Sequence, residues 1–250
     1  MTYNPNDYWQ VRLSRRFNLS GVGHFVFNEH YNKWLYKAKK RTLEKILLLH
    51  GIVINDKTIC DMGCGTGYFV DFFHERGVKD IVGVDISTTS IVSLNKKYPQ
   101  YLFIRRDISS YLLVSVINRQ FDILNAFDVL YHIIDDKSLR TAISNMSHLT
   151  KEGGFIFISD LLGKNNIDAA EHVKFRSKEM YEKLFEENSF EIMDIYPLYY
   201  FLNRPIFAKI GSFGLSIDNL CAPLYYYLDS FFLTSKKSNL NVIIAKKVKP

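Results

Sequence analysis

The residues best suited to chemistry in this 250-residue chain form one run, Ile59-Cys60-Asp61-Met62-Gly63-Cys64-Gly65-Thr66-Gly67-Tyr68-Phe69, an apolar strand opening into a glycine-rich turn. Glycines let the backbone turn sharply and let a ligand approach the main chain, while a following helix offers unpaired N–H groups. Spacing narrows the ligand. A dinucleotide fingerprint requires G-x-G-x-x-G, whereas the glycines here fall at 63, 65 and 67, and no Gly-Lys-Ser/Thr follows to make a P-loop. Two further acids recur in step. Asp85 closes Ile81-Val82-Gly83-Val84 and Asp107 closes Phe103-Ile104-Arg105-Arg106, each at the carboxyl end of a predicted strand, where open α/β sheets bind ligands. A carboxylate there accepts hydrogen bonds from ligand hydroxyl or amino groups, with Ile86 and Ile108 as apolar walls for a ring. Each acid alone also suits a helix N-cap. The series of three, together with the glycine turn, points to a ligand.

Candidate proton-transfer groups lie further along. Asp128 and His132 stand four apart after a predicted fourth strand, which puts both on one helical face if that turn is helical. A histidine there suits general-base work, and equally a packing role. His172, His24 in a glycine-punctuated loop and Asp160 at the end of the fifth strand are further candidates, Asp160 with capping or solvation as its plainer role.

These residues need a scaffold. From Thr58 onward, short β-branched or aromatic runs alternate with segments of helical period, predicting a parallel sheet covered on both faces. Strands are expected near 58–62, 80–85, 101–106, 121–127, 153–159, 190–197 and 240–247, with helices near 67–76, 88–97, 109–118, 137–149 and 177–187. The fold class is thus α/β: a Rossmann-like, seven-stranded, mostly parallel sheet with an N-terminal helical cap and an aromatic helical insertion before the last strand. We read one domain, with residues 1–50 as the cap, 51–197 as the core, 198–239 as an insertion suited to a substrate lid, and 240–250 as the last strand. The cap holds a helix from about Glu29 to His50, stopped by Gly51.

The Asp-x-Gly-x-Gly-x-Gly run of Asp61, Gly63, Gly65 and Gly67 resembles the first motif of the class I S-adenosylmethionine-dependent methyltransferases. The resemblance covers about residues 55–160 well and extends loosely through the helix at 177 and the final strands. It implies that Asp61, Gly63, Cys64, Gly65 and Gly67 form the cofactor turn, that Asp85 with Ile86 meets the ribose, and that Asp107 with Ile108 meets the adenine. Phe121 to His132, including Asn125 and Ala126, looks like the family's fourth strand and the turn below the transferable methyl. Tyr8-Trp9-Gln10-Val11-Arg12 looks like a Tyr-Trp-x-x-Arg segment that closes over the cofactor in some relatives, with Arg12 holding its methionine carboxylate. The implied product is S-adenosylhomocysteine.

Composition bounds the acceptor. The net charge of +6 resides in residues 1–50, where nine Lys or Arg face three acids. The plain reading is the solvated face of an amphipathic helix whose apolar stripe is Leu35, Ala38, Ile46 and Leu49. An anionic acceptor or cofactor carboxylate is the alternative. Cys60, Cys64 and Cys221 have no paired metal spacing, which disfavours zinc and structural disulfides. No transmembrane segment is expected, and a cytoplasmic protein is the simplest reading. Asn125-Ala126-Phe127-Asp128 lacks the Pro-Pro of base-clamping methyltransferases, no Pro-Cys follows the fourth strand, and the 137–149 helix lacks the paired glutamates of an arginine methyltransferase. A small-molecule or glycan acceptor with anionic or aromatic character remains, O-methylation is favoured over N-methylation, and nucleic acid is disfavoured. The alternatives are an RNA-modifying methyltransferase, a non-catalytic binding protein on the same fold, and a nicotinamide oxidoreductase; the oligomeric state is open.

Overall fold

The computed structural model describes residues 3–234 and 238–249, so residues 235–237 of the insertion, the first two residues of the cap and Pro250 lie outside it. Seven strands form one sheet in the order β3-β2-β1-β4-β5-β9-β8. These are β1 (Thr58–Met62), β2 (Asp80–Asp85), β3 (Leu102–Arg105), β4 (Phe121–Ala126), β5 (Thr150–Asp160), β8 (Phe190–Tyr199) and β9 (Leu240–Lys247). The first five run parallel, and β9 is antiparallel to both its neighbours. Because the order reverses between β1 and β4, their carboxyl ends part and leave a crevice there.

Alternation along the strands separates two cores. Ile59, Ile81, Ile123 and Phe157 face a layer containing α3 (Glu29–Leu49), α4 (Tyr68–His74), α5 (Thr88–Lys97) and α9 (Gly211–Phe232). Cys60, Val82, Leu124 and Ile156 face α6 (Leu113–Ile117), α7 (Asp136–Leu149) and α8 (Lys178–Glu186).

Several expectations need correction. The first fifty residues contain, before α3, the helix α1 (Pro5–Arg15) and one short turn of helix, α2 (Leu19–Val22). Asn4 caps α1 by accepting from the Asn6 and Asp7 N–H groups, and Pro5 fills its first turn, the place where a missing N–H costs nothing. The helix expected over 109–118 shrinks to α6, because Asp107 and Ser110 turn the chain first. A hairpin of β6 (Ile167–Ala170) and β7 (Val173–Phe175) follows β5. In α3 the buried stripe runs through Leu35, Leu43, Ile46 and Leu47, while Leu49 is exposed. The 198–239 insertion contains α9, which packs along α3.

Candidate functional site

The glycine turn is shaped by backbone that side chains resist. Gly63 and Gly65 adopt φ of +73° and +51°, and a Cβ on Gly65 would lie 2.9 Å from a Val22 methyl of the cap. A Cβ on Gly63 would collide with Val129. Asp85 reinforces the turn, since its two carboxylate oxygens accept from the Gly65 and Ser87 N–H groups, both at 2.8 Å. Burial raises the Asp85 carboxyl, and these backbone donors work against that shift.

A cavity of about 380 Å³ opens over this turn. Gly63, Cys64, Gly65, Asp85, Ile86, Asp107 and Ile108 line it, with Trp9 of α1 on the opposite wall. Gln10 fixes α1 there, its amide accepting from the Thr88 N–H at 2.8 Å and donating to the Thr89 hydroxyl at 3.1 Å. The Asp107 Oδ1 accepts from the Ser109 N–H and hydroxyl. Arg106, which sequence reasoning missed, joins the lining, and its buried Nε has no hydrogen-bond partner among the described residues.

Six expected ligand contacts are not part of this wall, Tyr8 and Arg12 of α1 and four that stand back in the strands and the turn. Asp61 is buried and accepts from the Asn125 amide at 2.7 Å, and burial pushes its carboxyl up to about 7. Asn125 and Ala126 are likewise buried in β4, and the cavity wall is formed by Phe127, Asp128 and Val129 one step later. Gly67 starts α4 and does not reach the cavity.

A second cavity, also about 380 Å³, adjoins the first and shares Val22, Asp128 and His132 with it. Its rings include Phe25, Tyr131, Phe175 and Tyr199, and its cations are Arg12, Lys39 and Arg204. His132 stands at the junction, at the end of a 3-10 turn over Leu130–His132. Asp128 precedes that turn with φ of +59°, so the two do not share a helical face as their spacing suggested. His132 Nδ1 lies 2.8 Å from the His172 carbonyl oxygen, which can only accept. The proton therefore sits on Nδ1, and Nε2 carries the lone pair. Burial pushes the imidazole down to about 4, keeping it neutral near pH 7. The His172 ring stacks on His132 at 5.7 Å and on Tyr8 at 4.6 Å, and burial and Arg12 lower its pKa as well. His24 also lines the second cavity and is pushed down to about 4 by burial.

Arg12 donates to Tyr8 Oη and to the Ser20 and Gly23 carbonyls, and lines the second cavity rather than the first. No carboxylate pairs with it among the described residues. Asp128 is an ion-pair partner, not a free base. Lys39 of α3 donates to it, as does the Ser159 hydroxyl, and both charged side chains are nearly buried. Burial alone would raise the Asp128 carboxyl, but Lys39, Ser159 and Tyr131 together hold it below the ordinary range. Lys39 was hidden inside a run of surface charge. Its signal is position, four residues from Leu35 and from Leu43 on the buried face. Asp160 is buried away from both cavities, where it accepts from the Tyr181 hydroxyl and is pushed up to about 7.

The comparisons agree with this architecture. The family described as methyltransferase domain matches residues 31–195. The ubiquinone biosynthesis O-methyltransferase of Nitrosomonas europaea is 27% identical over 110 residues, 43% of this chain and 45% of that protein. The tRNA U34 carboxymethyltransferase of Campylobacter fetus is 28% identical over 176 residues, 66% of this chain and 55% of that protein. The chain thus spans about half the length of these relatives. Among solved structures, the 1,6-didemethyltoxoflavin-N1-methyltransferase of Burkholderia thailandensis superposes with a TM-score of 0.60 at 15% identity, covering 99% of this chain and 92% of that one, which shows a shared fold.

Proposed function

The chain belongs to the class I S-adenosylmethionine-dependent methyltransferases, and on that premise we propose that it methylates an oxygen of a small aromatic acceptor bearing an anionic group. The observation that carries the reading is the pair of adjoining cavities that meet at His132. The first fits the cofactor: a glycine cradle that a Cβ would fill, the carboxylates of Asp85 and Asp107 in its lining, the apolar walls Ile86 and Ile108, and the unpartnered Nε of Arg106. Bound there, S-adenosylmethionine supplies an electrophilic methyl group on a sulfonium.

The remaining work belongs to the protein. Methyl transfer is an in-line displacement, so the walls mainly have to orient an acceptor and exclude water. Tyr131, Phe175 and Tyr199 offer ring-stacking surface. Arg12 and Arg204, neither paired with a carboxylate among the described residues, favour an anion, whereas the Lys39 charge is already met by Asp128. As the acceptor oxygen gains the methyl group it loses its proton, which the lone pair of His132 Nε2 receives.

The test is an acceptor panel with labelled S-adenosylmethionine, pairing hydroxylated aromatic acids with their neutral methyl esters. The acids should be preferred at least about tenfold in kcat/KM, on the scale of one charge-assisted hydrogen bond, and Arg204→Ala should erase the difference. Equal turnover of acids and esters would refute the anionic acceptor while leaving the methyltransferase standing.

A further inference from the structure

Helix α9 reverses the usual distribution of polarity. Its two acids, the only charged residues between Gly211 and Phe232, are buried. Asp218 accepts from the Phe207 N–H and the Tyr225 hydroxyl, and Asp229 accepts from the N–H groups of Tyr200, Phe201 and Leu202. The outer face carries Phe213, Leu220, Leu224, Tyr227 and Phe231, all exposed, with Leu220 at 77% and Phe231 at 82%. At 100° per residue these five span a narrow arc, so they form one continuous apolar stripe three turns and more in length. A stripe of this kind on a folded chain marks an interaction surface.

What borders the stripe identifies the partner. Helix α3 lies alongside, and Lys33, Lys37, Arg41 and Lys45 repeat every four residues along it. Lys37 sits 4.4 Å over the Trp34 ring, which in turn leans on Tyr226 and Tyr227. Arg41 lies over Tyr226 and donates to Ser230 of α9. Apolar side chains flanked by amphipathic rings and a row of cations suit a surface that is apolar within and negatively charged at its rim. We propose that α9 docks on the surface of a bilayer containing anionic lipid, the stripe entering the headgroup boundary and the α3 cations meeting the headgroups. A second copy of the chain matches less well, because pairing two stripes brings two cation rows together with no exposed acid on either α9 to meet them. Among the described residues no helix is long and apolar enough to cross a membrane, so the helix lies on the bilayer.

The test is co-sedimentation of the full chain with phosphatidylcholine vesicles, with and without about 30% phosphatidylserine as the anionic component. Binding to the anionic vesicles is expected, weakening as salt rises. Leu220→Glu with Phe231→Glu should reduce it about a hundredfold, from the loss of two inserted side chains. Lys37→Gln with Lys45→Gln should reduce it about fivefold per cation. Both variants should keep the thermal midpoint and the stabilisation by S-adenosylhomocysteine of the parent, since none of the four residues lines either cavity. Absence of sedimentation with anionic vesicles overturns the proposal. So does a dimer in sedimentation velocity that Leu220→Glu with Phe231→Glu dissociates, because a second copy would then cover the stripe.

Discussion

Replacing Lys39 by Met tests whether the buried pair with Asp128 holds the floor between the two cavities. The side chains are 3% and 12% exposed, so the substitution leaves a carboxylate without its cation in a place water scarcely reaches. Breaking a buried pair from one side costs about 3–5 kcal/mol. For a chain of this size each kcal/mol moves the midpoint by about 2–4 °C, giving a fall of roughly 6–20 °C at pH 7. The pH dependence of that gap is the sharper measurement. In the parent, Asp128 is held below its unfolded value of about 3.9, so the pair's contribution is complete above that pH and fades only as pH falls through the folded value. In Lys39→Met, burial without a partner raises Asp128 above 3.9, and the folded variant takes up a proton that the unfolded chain does not. Its stability therefore recovers on acidification, and the gap to the parent narrows from pH 7 to 5. Asp61 and Asp160, both pushed up to about 7, contribute to both curves alike and drop out of the difference. Adding Asp128→Asn to Lys39→Met should cost less than the two single changes together, with a coupling of about 1–3 kcal/mol. A variant within about 1 °C of the parent at pH 7, the shift expected of a solvated surface pair, or a gap that widens on acidification, would refute the reasoning.

Two further outcomes concern the cavities directly. S-adenosylhomocysteine near a hundred times its Kd should stabilise the parent by about 2.7 kcal/mol; Asp85→Ala should bind at least about tenfold more weakly, removing about 1.4 kcal/mol of that gain, and NAD should shift neither protein. Because burial holds His132 near 4, it is neutral from pH 8 down to about 5, so single-turnover methyl transfer should be flat across that range and fall only below it. His132→Ala should slow the step about 10²-fold or more, and a variant rate equal to the parent's throughout pH 5–8 would remove His132 from the chemistry.

How much of this was legible depended on whether the responsible physics is local. The strands and their mostly parallel sheet could be anticipated because apolar runs and helical periods alternate in sequence, and the glycine turn because φ near +60° excludes most side chains at Gly63 and Gly65. Asp85 and Asp107 were visible because each stands at the carboxyl end of an apolar run that reads as a strand. Helix α1 had a local signal too, Asn4 before Pro5, but its apolar period is weak and only Leu13 is buried. Asn125 and Ala126 were placed one step early, since where a strand ends and its turn meets a cavity depends on its neighbours in the sheet.

The second cavity had no such signal, and the reason is geometric. Arg12, Lys39, Asp128, His172 and Arg204 come from five separate parts of the chain, and only the packing of α3 against the sheet and the insertion brings them together. Lys39 shows how a compositional rule fails there. In a helix with cations at 33, 37, 39, 40, 41 and 45, each lysine taken alone reads as solvated, yet residue 39 shares the inward face with Leu35 and Leu43 and must be buried if they are. A buried ammonium requires a carboxylate, so the helical phase of one lysine already demanded an acid on the facing strand end, and Asp128 is the residue that meets it. In the row at 33, 37, 41 and 45, Lys33 pairs with Glu29 and Arg41 leans on α9, whereas Lys37 and Lys45 are exposed with no carboxylate partner among the described residues, which leaves their charges to the surface proposed for α9.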